Sequence, residues 1–99
     1  MADTIAFMGK EKSWVSTGTG DTLTCDDMNK SNLHSINIDS DTLDFTTVTI
    51  TVYNSVGGSK VVTAPAGSGN AIKLDSGYGI SKIVLSGVSA GTKLVRFYR

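Results

Sequence analysis

Apolar and polar positions alternate with a period of two along most of this chain. The clearest stretch covers residues 45–53, where Val48, Ile50 and Val52 fall on one side and Thr47, Thr49 and Thr51 on the other. Alternation of that length predicts a strand with one face in a core and the other in solvent. The next segment, 54–59, contains Gly57-Gly58 and predicts a turn. Residues 60–64 then read as the return strand of a hairpin. Pro65 ends it, because proline has no N–H to donate to a ladder. A short strand is predicted over 70–74, with Ile72 and Leu74 on one face. The segment 80–85 is more apolar throughout. In the last predicted strand, 92–98, Val95 and Phe97 share one face and Leu94, Arg96 and Tyr98 the other.

The first half is less regular. Segments 4–8, 13–16, 22–25 and 33–38 fit strands, with Gly18-Thr19-Gly20-Asp21 as a turn between the second and third. Residues 26–32 fit either a single helical turn or an open loop. No window repeats apolar residues at i, i+3, i+4 and i+7, so no amphipathic helix is predicted. About eight short antiparallel strands at regular spacing predict one all-β domain over residues 1–99, a β-sandwich or a small barrel. The alternation assigns Ile36, Ile38, Val48, Ile50, Val52, Ile72, Ile83, Leu85, Val95 and Phe97 to the core.

Composition agrees. Val, Ile and Thr together make 28 of the 99 residues, against one Glu and no Gln. That balance favours strands over helices. A chain of this length can bury one thin core, but not a core plus a deep catalytic cavity. Nine basic and nine acidic residues cancel, which argues against a nucleic-acid partner. The charges are nonetheless uneven. Residues 21–44 carry a net −5 and residues 60–99 a net +5. Either opposed patches promote head-to-tail contact between copies, or the halves interleave and the charges mix. Ile5-Ala6-Phe7-Met8 is too short for the apolar core of a secretory signal, and no run reaches membrane-spanning length. The expectation is therefore a chain made in a cytoplasm, with no membrane partner.

Few residues offer chemistry. Cys25 is the one cysteine and His34 the one histidine. They fit a nucleophile and its base, but a lone cysteine in a strand is more simply a small buried side chain. One of each cannot close a structural zinc site. Asn37, Asp39 and Asp41, with Asp44 three residues on, place oxygen ligands at alternate positions, as calcium requires. The segment lacks the glycine and terminal glutamate of a helix–loop–helix calcium loop and sits between strands, so a solvated, turn-forming Asp cluster is the simpler reading. Gly67-Ser68-Gly69 and Gly77-Tyr78-Gly79 are too short to cradle a phosphate, and no helix pattern follows them. Trp14, Tyr53, Tyr78 and Tyr98 fit core or rim positions, or stacking on sugars. Tyr78, between two glycines, is predicted to be the most exposed and suits a ligand contact or a protein–protein anchor. No catalytic residue, cofactor or resident metal is assigned.

The Gly/Ser/Thr-rich strands, the segment Val48-Thr49-Ile50-Thr51-Val52-Tyr53-Asn54-Ser55-Val56-Gly57-Gly58 and the ending Lys93-Leu94-Val95-Arg96-Phe97-Tyr98-Arg99 resemble the small all-β virion proteins of tailed bacteriophages, of the capsid decoration or cement type. The resemblance is one of style across the whole length and carries no functional residue with it. It implies a non-enzymatic structural protein of the virion. Its partner would be the major capsid protein or another virion protein, bound as a homo-oligomer or as repeated copies on a lattice. The chain is similar in style to carbohydrate-binding sandwiches as well, so a sugar-binding or host-surface adhesion module stands as the alternative.

Overall fold

The computed structural model describes residues 2–5, 11–18, 20–26 and 34–98. These residues form nine strands: β1 Ala2–Ile5, β2 Glu11–Ser16, β3 Thr22–Cys25, β4 Ser35–Ser40, β5 Thr49–Asn54, β6 Ser59–Val62, β7 Ala71–Asp75, β8 Ile80–Ser86 and β9 Gly91–Tyr98. They assemble into two sheets. The first has the order β1-β3-β8-β5-β6, and the second β2-β9-β4-β7. The expected all-β sandwich is thus present, as two separate sheets and not a closed barrel. The predicted strand over 4–8 begins earlier, at Ala2, and its residues 6–8 lie outside the described residues. So does most of the 26–32 segment left open between helical turn and loop.

Every strand pair is antiparallel except β1 on β3. The exception follows from the path of the chain. From β1 it passes to the other sheet as β2, then returns as β3 running in β1's direction. Only β5 and β6 are neighbours in both sequence and space. Their hairpin closes through a turn in which Gly57 N–H donates to Asn54 O and Asn54 N–H to Gly58 O. Gly57 stands at φ +90°, a conformation that costs glycine nothing and strains other residues. That residue is the bulge of a hairpin built on a type I turn. Asn54 reinforces it, because its Oδ1 accepts from the N–H groups of Val56 and Gly58.

All ten residues assigned to the core by alternation are buried. The inner face of β5 sets Ile50 and Val52 opposite Leu85 and Ile83 of β8. Facing them, Ile38 of β4 pairs with Phe97 of β9 on one side and Ile72 of β7 on the other. Trp14, Leu23, Cys25, Leu43, Phe45, Ala64, Leu74, Ile80 and Val88 complete the same cluster. Leu43, Phe45 and Val88 sit in connections, where no period announces them.

One local prediction needs correction. Residues 45–47 form a 3-10 turn ahead of β5, not the start of the strand. Asp44 holds that turn, its Oδ1 accepting from the N–H and hydroxyl of Thr46. A short polar side chain that satisfies a nearby N–H competes with the ladder for the backbone. Phe45 N–H donates across the molecule to Gly69 O, and the ring turns into the core.

The turn between β2 and β3 also depends on one carboxylate. Asp21 is buried and accepts from the N–H and hydroxyl of Thr17. It carries the chain from one sheet to the other where a hairpin would have kept it in one.

Truncating Ile50, which has no exposed surface, should cost about 2–5 kcal/mol. Its neighbour on the outer face, Thr51, should lose about 0.5 kcal/mol or less when changed to Ala. Denaturant unfolding of Ile50→Ala and Thr51→Ala checks this, and comparable losses would place the wrong face of β5 in the core.

Candidate functional site

The two residues that could have formed a nucleophile and its base do not meet. Cys25 is fully buried on the inner face of β3, opposite Ile83. His34 is exposed at the start of β4, with its Nδ1 3.2 Å from the carbonyl oxygen of Ser76. The thiol is enclosed in the core, and the ring lies at the surface beside the β7–β8 turn.

The oxygen-rich segment has partners within the fold. Asp39 and Arg96 face each other across the β4–β9 ladder, as do Asn37 and Tyr98. Arg96 donates through Nε to Asp39 Oδ1 and through its terminal nitrogen to Asp41 Oδ1 at 2.9 Å. The Tyr98 hydroxyl reaches diagonally to Asp39 Oδ2 at 3.0 Å. Asp44 serves the 3-10 turn. Alternation did put Asn37 and Asp39 on one face, but Arg96 now stands where a cation would. Among the described residues no group of three or more His, Cys, Asp or Glu side chains is placed to hold a metal.

These contacts set the local titration behaviour. The hydrogen bond from Arg96, then its charge, holds the Asp41 carboxyl below the usual range. Asp44 is lowered by the Thr46 hydroxyl and then by the Thr46 N–H. Tyr98 is raised, chiefly because its hydroxyl donates to Asp39, and Arg96 is raised by the two carboxylates it binds.

The same cluster decides the fate of the opposed charge halves. Strand β9 lies between β2 and β4, so a cation of the basic half sits on two acids of the acidic half. Asp21 and Asp44 are engaged in turns. One cation of the basic half and two acids of the acidic half are thus joined across the second sheet.

Among the described residues, one rim of the sandwich holds an open cleft. A cleft of about 350 Å³ is lined by Val52, Asn54, Ser59 and Lys60 of the β5–β6 hairpin and by Asp75, Ser76, Gly77 and Tyr78 of the β7–β8 turn. Tyr78 is 69% exposed, as the flanking glycines predicted. Its turn is closed by Gly79 N–H donating to Ser76 O, with Gly79 at φ +80°. The hairpin adds Val56 and Val61, 71% and 66% exposed. On the outer face beside it, Lys82 Nζ lies 4.2 Å from the centre of the Tyr53 ring. An aromatic ring, two exposed valines and a few polar groups make a surface suited to binding. Sequence reasoning found Tyr78 but missed Val56 and Val61, since exposed valines carry no period of their own.

Among the described residues no helix is long and apolar enough to cross a membrane. No family model matches the chain, and no curated protein matches it.

Arg96→Gln should return Asp41 toward the ordinary carboxylate value of about 3.9 while leaving Asp44 low. Asp39→Ala should bring Tyr98 down toward about 10. Carboxyl titration by NMR and phenolate absorbance read the two. The signs for stability are opposite. The lowered acids contribute above their unfolded values, and that contribution is lost as pH falls through the folded ones. Tyr98 contributes below its unfolded value and loses its share as pH rises through the raised one. An unchanged Asp41 in Arg96→Gln would remove the pairing.

Proposed function

We propose that this chain is a non-enzymatic structural protein of a virion, which binds in repeated copies to a larger protein shell in the manner of a capsid decoration protein. The observation that carries the reading is Tyr78, 69% exposed beside the cleft between the β5–β6 hairpin and the β7–β8 turn, with Val56 and Val61 also exposed on the hairpin. The reactive groups point the same way. Cys25 is packed in the core, and the Asp cluster is committed to Arg96 and to a turn.

The mechanism is multivalent contact. A decoration protein need not bind any one capsid subunit tightly. By touching two neighbours at once it raises the effective concentration of each for the other and opposes their separation. Tyrosine suits this role, since a large rigid ring buries area at small entropic cost and keeps a hydroxyl for a polar partner. Apolar contacts of this kind survive high salt, whereas solvent-exposed charge pairs are screened. Contact made through these apolar groups is expected to resist salt.

A second reading is favoured by one feature, the aromatic ring beside Asp75, Asn54, Ser59 and Lys60 in an open cleft. Rings flanked by hydrogen-bonding groups stack on sugars, so the cleft fits a carbohydrate-binding module as well.

Pull-down with purified capsids and a glycan array separate the two. Capsid association that survives 1 M salt, weakened about tenfold or more by Tyr78→Ala without loss of stability, is the expected result. Cys25→Ser, His34→Ala and added chelator should leave it intact. Strong glycan binding without capsid association would reject the structural role in favour of the second reading.

A further inference from the structure

The cleft gathers polar groups that the fold leaves unused. Val52 is buried on the inner face of β5, and Lys60 stands opposite it in the β6 ladder. Residues directly opposite in a ladder share a face, so the Lys60 side chain turns toward the gap between the sheets. Asn54, two residues along from Val52, lines the same cleft. Its Oδ1 accepts from the N–H groups of Val56 and Gly58, and these two bonds fix the amide. A Cβ on Gly58 would stand 2.8 Å from Nδ2, so glycine leaves the amide its place. The Nδ2 group, with two N–H donors, meets no acceptor among the described residues. The Lys60 ammonium, the Asp75 carboxylate and the Tyr78 hydroxyl likewise have no hydrogen bond or ion pair there.

These groups define what the cleft can take. A carboxylate only accepts, and an ammonium or an amide N–H only donates. A ligand that satisfies both kinds must donate and accept through neighbouring atoms, as hydroxyl groups do. Lys60 and Asp75 cancel in charge, so the cleft favours no ionic ligand over a neutral one. Tyr78, 69% exposed, adds a ring face suited to an apolar surface. At about 350 Å³ the cleft lies at the small end of small-molecule sites, which run to about 1,000 Å³. It has room for roughly one or two sugar rings.

We propose that the cleft binds the end residue of a neutral glycan. One pyranose ring lies with its C–H face on Tyr78, Asp75 accepts from two adjacent hydroxyls, and Asn54 Nδ2 and Lys60 donate to the remaining oxygens. The inference rests on the carbohydrate reading of the cleft and adds the class of sugar and the groups that select it. A carboxylate holds two oxygens in one plane and takes a vicinal diol as it takes the two N–H groups of an arginine fork. A uronic or sialic acid would bring a second carboxylate toward Asp75, and that repulsion offsets what Lys60 contributes. The groups are exposed and compete with water, so one site binds weakly. Repeated copies on one body raise the avidity.

Amide NMR of this chain, titrated to about 100 mM with the methyl pyranosides of glucose, mannose and galactose, tests it. At least one of the three should shift the signals of Asn54, Asp75 and Tyr78. Methyl glucuronide should bind more weakly than the best neutral sugar. Asn54→Asp keeps an oxygen for the Val56 and Gly58 N–H groups and removes the free donors. That change, Asp75→Ala and Tyr78→Ala should each weaken binding about tenfold or more, with the far-ultraviolet strand spectrum unchanged. Tyr98→Phe, on the outer face of the second sheet, should leave binding as it is. If Asn54→Asp loosens the hairpin, Asp75→Ala decides by the same titration. An absence of shifts with all four sugars overturns the carbohydrate reading and the inference with it. Sugar binding that survives Asp75→Ala, or a glucuronide that binds more tightly than the neutral sugars, overturns the inference and leaves the carbohydrate reading standing.

Discussion

The fold depends on β8 and β9, the last two strands in the chain, each filling the interior of one sheet. Strand β8 lies between β3 and β5, and β9 between β2 and β4. Without β8 the first sheet falls into β1–β3 and β5–β6 fragments. Without β9 the second leaves β2 alone beside the β4–β7 pair. Each missing strand would expose a ladder on both of its neighbours and uncover half of the opposite apolar face. The inner residues of the pair, Ile83 and Leu85 against Val95 and Phe97, are fully buried. Such pairing is non-local, and the entropy of closing long loops precedes the contacts that offset it. The early strands therefore have little structure to settle into before the end of the chain arrives.

The interleaving that builds the core also organises the surface. By lying against β4, β9 brings Arg96 onto Asp39 and Asp41 and Tyr98 onto Asp39. An oxygen-rich segment that resembles a cation site in isolation becomes a cross-strand ion-pair cluster. Pairs this exposed contribute modestly to stability. Their larger consequence is to bring a cation of one half of the chain onto two acids of the other. At the rim, the β5–β6 hairpin and the β7–β8 turn leave Val56, Val61 and Tyr78 exposed.

That rim is shaped by the way a sandwich ends. Two sheets that cross over at almost every connection leave edges on both flanks, and each edge carries main-chain groups that must be blunted or used. Strand β7 is blunted by charge and by a loop carbonyl, and β6 by its four-residue length, Lys60 and the nearby Pro65.

The sequence by itself determined the class of the fold and most of its core. Period-two alternation is a local property of a strand, and it marked Ile36, Ile38, Ile50, Val52, Val95 and Phe97 as buried before any partner strand was known. The β5–β6 hairpin was legible for the same reason, since Gly57-Gly58 and the flanking strands are contiguous. Tyr78 was legible as an exposed ring because its glycine neighbours demand a turn. Tertiary structure alone decided the rest. Nothing local tells Asp39 that Arg96, fifty-seven residues away, will lie opposite, and nothing local says that Phe45, Leu43 or Val88 will turn inward from a connection. Strand order and the parallel β1–β3 pair also belong to the assembled sheets. Which edge of a strand is covered depends on the strand that arrives beside it, and the alternation of side chains is the same in either case.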